Sequence, residues 1–438
     1  MQHALLRGGP GLVHTQLTMP VRSSVVSQRI FTVVVKACPP RVADLQAFLG
    51  ALDAAIRAGT ETLFSSLEQL HFCSFTIFPD DQLGPSLVFE SNIDGSLDDY
   101  LAALCRAGAA TLHAIFAAGC DYHASSPQPE LLQAYLRAHA IRPATAFVGN
   151  VGRSVRRIRQ EAALVARIEE FLDELAPPRG TAPATIVDNV RAFVRNDPAA
   201  HWVWDVQPRL TAADFCARWF SVVAVAAGAL ALVSLGPLGA YVVALRRREL
   251  TDPVDIPGPS PEHVQALTER EDQIVQNHMS SLCYVKPGAF RRRTLKVVLF
   301  AANLVARVSV GGKLLGLDSL HFAHWALIDG DTRLLFLTNY DGSWENYLDD
   351  FIDKVAAGLT AIWSNTRNFP RTSFLLLDGA KDEKRFKAVA RTTQAYTNVW
   401  YSAYRGLPVT CIEKNRAICE GLAAAPRTLD SAAWLRLF

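Results

Sequence analysis

The sequence lacks most of the marks that announce a chemistry. Its 438 residues contain no GxSxG elbow, no GxxxxGK[ST] phosphate loop, no GxGxxG fingerprint and no HExxH pair. The best-marked hydrolase, nucleotide-binding, dinucleotide-binding and zinc-protease routes therefore lose their footing. Eight cysteines are scattered at positions 38, 73, 105, 120, 216, 283, 411 and 419 with no CxxC pair. Such spacing suits reduced thiols rather than a disulfide framework. The stretch CDYH, Cys120 to His123, has a ligand-like spacing but no second pair to complete a tetrahedral metal site. An excess of one charge is also missing: 44 Lys+Arg face 42 Asp+Glu, a net of +2. Nucleic acid is not an expected partner, because phosphate binding needs a strong basic field. The opening MQHALLRGGPGLVHTQ has no apolar core of signal-peptide length, so a cleaved signal is not expected.

What the sequence does have is one long apolar run. Trp219 to Leu245, WFSVVAVAAGALALVSLGPLGAYVVAL, is 27 residues without a charge, fenced by Arg218 and by Arg246, Arg247 and Arg248. As a helix it would cover about 40 Å, more than the ~30 Å hydrocarbon core of a bilayer. A single span would leave the triple arginine on the cytoplasmic side. A hairpin turning at Pro237 would enter one leaflet on unequal arms and bring both ends out on one face. Either way a membrane-embedded helical segment is expected over 219–245, with membrane lipid as a partner and the soluble parts on the cytoplasmic face. FRRRTLKVVLFAANLVARV, Phe290 to Val308, reads as a basic-fronted helix at a headgroup boundary or as an ordinary core helix.

The chain also writes one pattern twice, on either side of that run. Leu70-His71-Phe72 matches Leu320-His321-Phe322 at an offset of 250, and Val35-Lys36 matches Val285-Lys286 at the same offset. Beyond the hairpin the offset is 247, pairing Asn92, Asp94, Gly95, Ser96 and Tyr100 with Asn339, Asp341, Gly342, Ser343 and Tyr347. Each copy reads strand, helix, hairpin, helix, strand, which is the split βαβ order of an α+β fold. The expected organisation is a first ferredoxin-like module over 25–175, a helical linker over 176–218, the membrane segment, a Pro-rich linker over 246–269 and a second module over 270–425. The two sheets are expected to pack face to face. Such a pair resembles the dimeric α+β-barrel superfamily, whose haem-binding branch includes the dye-decolourising peroxidases. SNIDG and TNYDG are similar to that branch's Gly-x-x-Asp-Gly motif at Asp-Gly, with Ser91 and Thr338 where the family has its leading glycine.

Candidate site residues follow from position and type. Asn92 with Asp94, and Asn339 with Asp341, end a strand just before a helix. There a carboxylate would serve as an acid, a base or an anchor, or simply shape the turn while Ser96 and Ser343 cap the helices. His71, His321 and His324 are candidate haem ligands, against the plainer reading of hydrogen-bonded strand histidines. Strict alternation would place His321 with Trp325 on one face and His324 on the other, so the two histidines would not share a metal. Lys36, Lys286, Arg153 and Arg156 are candidate anion-binding residues, each equally readable as solvated surface. The resemblance implies a membrane-attached, haem-dependent peroxidase-type oxidoreductase acting on an apolar or lipid-derived substrate held between the modules. The alternative is a non-catalytic, membrane-anchored lipid-binding or scaffolding protein whose cavity between the modules holds a hydrophobic small molecule.

Overall fold

Each half opens on a strand and folds back through a hairpin, because short apolar and β-branched runs are broken by Asp/Gly/Pro turns. The computed structural model describes residues 26–178, 180–205, 237–253, 258–308, 316–425 and 429–438. In the first half, β1 (Gln28–Lys36) leads into helix α1 (Val42–Ala58), the hairpin β2 (Leu70–Phe78) and β3 (Ser86–Asp94), and helices α2 (Leu97–Ala107), α3 (Ala109–Phe116) and α4 (Pro129–Ala138). The short strands β4 (Ala140–Ile141) and β5 (Thr145–Val148) precede α5 (Val155–Leu175), and α6 (Pro183–Arg195) lies in the expected helical linker. Helix α7 (Pro237–Thr251) follows the 206–236 stretch, and α8 (Pro261–Arg270) occupies the expected Pro-rich linker. The second half repeats the plan: β6 (Gln276–Tyr284), α9 (Ala289–Val308), β7 (Leu320–Ile328), β8 (Arg333–Asp341) and α10 (Trp344–Trp363). A two-stranded ribbon of β9 (Thr372–Ser373) and β10 (Leu377–Asp378) precedes α11 (Glu383–Thr393), β11 (Gln394–Ala395), β12 (Thr397–Ser402) and α12 (Val409–Ala423).

The described strands form two five-stranded antiparallel sheets with the orders β12-β2-β3-β1-β4 and β11-β6-β8-β7-β5. Each half therefore gives its last strand away: β12 pairs with β2 across the molecule, and β5 pairs with β7. The exchange is reciprocal, so the halves are interlocked rather than merely packed. One side of each sheet faces the other sheet, with Val88 and Phe78 meeting Leu335 and Leu337. The opposite sides carry the main cores, against α1, α2 and α3 in the first half and against α9 and α10 in the second.

Beyond the strand exchange, the fold departs from expectation in two respects. Among the described residues no helix is long and apolar enough to cross a membrane, which overturns the membrane-embedded helical segment as part of the fold. Residues 219–236 of that expected segment lie outside the described residues, while 237–245 form the start of α7. That helix docks on the second half: the Tyr241 hydroxyl donates to Thr294 Oγ1 at 3.2 Å, Tyr241 stacks on Phe290, and Leu245 is buried. The following arginine is spent there too, with Arg246 Nη1 donating to the Thr372 carbonyl at 3.0 Å. The second departure is register. The bridges Ala37↔Gly119 and Val285↔Thr366 set the first strands at an offset of 248, not 250. Lys36 therefore corresponds to Tyr284, and Lys286 to Cys38.

The exchange forces one close backbone approach. Gly149 follows β5, and its N–H donates to the His321 carbonyl at 2.7 Å. A Cβ at Gly149 would run into the Leu320 carbonyl, a backbone atom that cannot rotate away. Gly149→Ala is expected to cost about 1–3 kcal/mol, in the range of overpacking substitutions, as a lower midpoint in urea unfolding.

Candidate functional site

The repeated histidines and aspartates form twin ties. A β-bulge interrupts the pairing of β2 with β3 at His71 and of β7 with β8 at His321. A bulge re-aims the side chain it carries, so the alternation expected for His321 and Trp325 does not hold there. His71 Nε2 lies 2.8 Å from Asp94 Oδ1, and His321 Nε2 lies 2.7 Å from Asp341 Oδ1. The second carboxylate oxygen of each accepts from the first backbone N–H of the helix that follows the exchanged strand: Val155 to Asp94 at 2.8 Å and Val409 to Asp341 at 2.7 Å. Gly95 and Gly342, at φ +76° and +81°, turn the chain, and Ser96 and Ser343 cap α2 and α10. The twins differ at the other ring nitrogen of the histidine. His71 Nδ1 is 2.8 Å from the Tyr404 hydroxyl, whereas Asn150, at the position corresponding to Tyr404, donates to Glu413 at 2.8 Å.

Between the sheets, where a substrate cavity was expected, lies a buried polar layer. Asn339 Nδ2 donates to Asn92 Oδ1 at 2.8 Å, joining the two repeated asparagines across the halves. Asn339 Oδ1 accepts from Trp400 Nε1 at 2.9 Å, and Asn92 Nδ2 donates to Glu90 Oε1 at 3.2 Å. His324 sits between Glu90, 3.1 Å from Nδ1, and the Thr32 hydroxyl, 3.0 Å from Nε2. His278 joins Asn339 Oδ1 at 3.1 Å to the Ser280 hydroxyl at 2.9 Å. Burial pushes the Glu90 carboxyl up, but the His324 imidazole, the His278 charge and the Asn92 amide outweigh it and hold the group below its ordinary range. Burial pushes His278 down. This layer fixes how the halves meet and leaves its members little freedom to act on a ligand.

The candidate anion-binding residues are likewise engaged. Lys36 Nζ donates to Ser86 Oγ at 3.3 Å and lies 3.3 Å from Asp329. Lys286 is buried, donating to Asp252 at 2.6 Å and the Ser364 carbonyl at 2.8 Å; burial pushes its ammonium down. Arg153 is buried and bridges Glu161 at 2.8 Å and Glu420 at 3.0 Å, holding α5 against α12. Arg156 is exposed on α5.

The open space is elsewhere. A cavity of about 300 Å³ lies in the second half, between the outer face of its sheet and helices α9 and α10. Thr145 and Phe147 of the exchanged β5 and Trp325 of β7 form its floor, Val298, Ala302 and Ala306 one wall, and Phe351 and Leu359 the other. The Thr145 hydroxyl is already spent on the Leu299 carbonyl at 2.6 Å. Val305 and Leu376 line the cavity and are also exposed, 41% and 50%, so it opens to the surface there. The first half serves as an internal control. Its α1 buries Leu45 and Leu49 where α9 buries Leu295 and Leu299, at an offset of 250. One and two turns further on, the first half has Leu52 and Ile56, and the second has Ala302 and Ala306. Leu63 and Phe64 add further bulk to the first core. The floors match, with Phe75 stacked on Phe89 as Trp325 is on Phe336. Two truncations on one helix thus separate a filled core from a hollow one. None of the cavity residues was a candidate site residue in the sequence, although the helix over Phe290 to Val308 and the offset that pairs it with the first half were legible there.

The histidines do not suit a haem. His71 and His324 have both ring nitrogens in contact with polar partners, and His321 Nε2 is held by Asp341. All three are buried between packed aromatic and polar side chains, and none lines the cavity. No protein-family model, no curated protein and no solved structure matches the chain.

Proposed function

We propose that the chain binds an apolar small molecule in the cavity of its second half, and that the first half acts as a rigid clamp which completes that cavity through β5. The reading rests on one observation: where the first half fills its core with Leu52 and Ile56, the second has Ala302 and Ala306 and a space of about 300 Å³. An apolar space of ~150 Å³ takes up a benzene, so this one suits a ring pair or a short hydrocarbon chain. Binding would draw on apolar area removed from water, at ~25 cal/mol per Å², with orientation left to shape. This keeps the non-catalytic alternative but moves its cavity from between the modules into the second half. The peroxidase form finds no support among the described side chains, because the histidines proposed as ligands are buried and none of them lines the cavity.

The test uses the neutral fluorescent probe N-phenyl-1-naphthylamine with the full chain. Wild type is expected to bind and to quench Trp325, which forms the cavity floor. The double variant Ala302→Leu, Ala306→Ile should bind at least tenfold more weakly, roughly 1.4 kcal/mol of lost affinity. Filling an apolar void commonly adds about 0.5–2 kcal/mol of stability, so the same variant should unfold at a higher urea concentration. Equal binding by the two folded proteins would place the ligand elsewhere and defeat the proposal.

A further inference from the structure

The first half carries a pair of thiols that neither the cavity nor the interlock uses. Cys38 follows β1 and Cys120 follows α3, and their Sγ atoms lie 2.7 Å apart. That is within 1 Å of the ~2.05 Å of a disulfide bond. The backbone fixes both: the Cys38 N–H donates to the Ala118 carbonyl at 2.8 Å, the Cys120 N–H donates to the Lys36 carbonyl at 2.9 Å, and Ala37 bridges Gly119 between them. Cys120 is exposed and Cys38 half-buried, as is the distant Cys411, whereas Cys73, Cys105, Cys283 and Cys419 are buried. The second half has the same backbone frame, with the Lys286 N–H on the Asn365 carbonyl and the Arg367 N–H on the Tyr284 carbonyl, both at 2.8 Å. Lysine and arginine stand there in place of the two thiols, so the frame does not require cysteine.

We propose that Cys38 and Cys120 are a redox modification site that closes to a reversible disulfide, with a low-molecular-weight disulfide such as oxidised glutathione as oxidant. The Cys38 thiolate attacks one sulfur of the oxidant and expels one thiol. Cys120 then gives up its proton, attacks Cys38 Sγ and expels the second thiol. Two protein thiols are oxidised to one disulfide, and one external disulfide is reduced to two thiols that carry away the protons. The two roles can exchange, because the Sγ atoms lie 2.7 Å apart and the exposed Cys120 meets the oxidant as readily as Cys38. Closure ties the end of β1 to the stretch leading into α4 and leaves the buried cysteines untouched.

The experiment treats the reduced full chain with oxidised glutathione, alkylates the remaining thiols after unfolding, and reads intact mass and a non-reducing peptide map. Against a reduced and alkylated control the expected product lacks two alkyl groups, with one crosslink joining the Cys38 and Cys120 peptides, and it reverts on reduction with dithiothreitol. Cys38→Ser and Cys120→Ser should each stop at a single stable glutathione adduct on the partner cysteine. Wild type that takes up glutathione at both positions, remains fully alkylatable at both, or crosslinks elsewhere would overturn the proposal.

Discussion

Asp94→Ala is expected to lower the unfolding free energy by about 3 kcal/mol, since two buried donors lose their acceptor at once and each such loss costs ~1–3 kcal/mol. The orphaned groups are His71 Nε2 and the Val155 N–H, both 2.8 Å from the carboxylate in the native protein. His71 is wholly buried and Val155 nearly so, so water does not replace the missing oxygen. The loss goes beyond local repair. Val155 opens α5, and the chain reaches it directly from the strand given to the other sheet, so the carboxylate is the peg that stops the exchanged strand from sliding. Asp94→Asn keeps one good acceptor and is expected to cost about half as much. Asp341→Ala should follow the same order with a smaller loss, because His321 lacks the tyrosine hydroxyl that couples His71 to Tyr404 at 2.8 Å. Urea unfolding checks the series as a falling midpoint at constant slope. An Asp94→Ala protein as stable as wild type would mean that the tie carries no load.

Much of this tie was legible in the sequence. The repeats singled out His71, His321, Asp94 and Asp341, though as separate candidates and not as pairs, and Ser96 and Ser343 cap the helices that the pattern assigns them. What the pattern does not contain is the partner. TAFV and TNVWYS lie at sheet edges in the structure, and nothing in an edge strand's own alternation says which sheet it will join. The bulges at His71 and His321 were hidden for a related reason: an extra residue in one strand leaves composition unchanged and is visible only in the pairing. The first strands also slip by two residues against the 250 offset, because β1 and β6 share few identical residues to pin their register. Lys36 and Lys286 looked equivalent on that account and are not. The described end of the apolar run, residues 237–245, departs for the opposite reason. The run's length and lack of charge invite a bilayer, yet Tyr241 and Leu245 near its end pack on protein. Hydropathy alone does not distinguish lipid from a neighbouring core.

The polar layer between the sheets sets the acid limit of the fold. Glu90→Ala is expected to cost about 3–5 kcal/mol, the range for removing one partner of a buried pair. It leaves His324 Nδ1, 3.1 Å away, facing a void, and it takes the acceptor from the Asn92 amide. The pH dependence follows from two groups with depressed native values. Burial holds His278 below its ordinary 6.5, so as the pH falls past that value the unfolded chain takes up a proton that the folded one refuses, and stability declines. Glu90 is held below its ordinary 4.5 by His324, His278 and Asn92 despite its burial, so its contribution is present above 4.5 and is lost as the pH drops through the depressed native value. Stability should therefore be flat above about pH 7 and decline in two stages on acidification. His278→Asn is expected to abolish the upper stage, and Glu90→Gln to weaken the lower one at the cost of a lower plateau. Unfolding free energies from urea titrations between about pH 2 and pH 8 resolve the two stages. A curve for His278→Asn that parallels wild type between pH 5 and 7 would show that the interface does not titrate through this histidine.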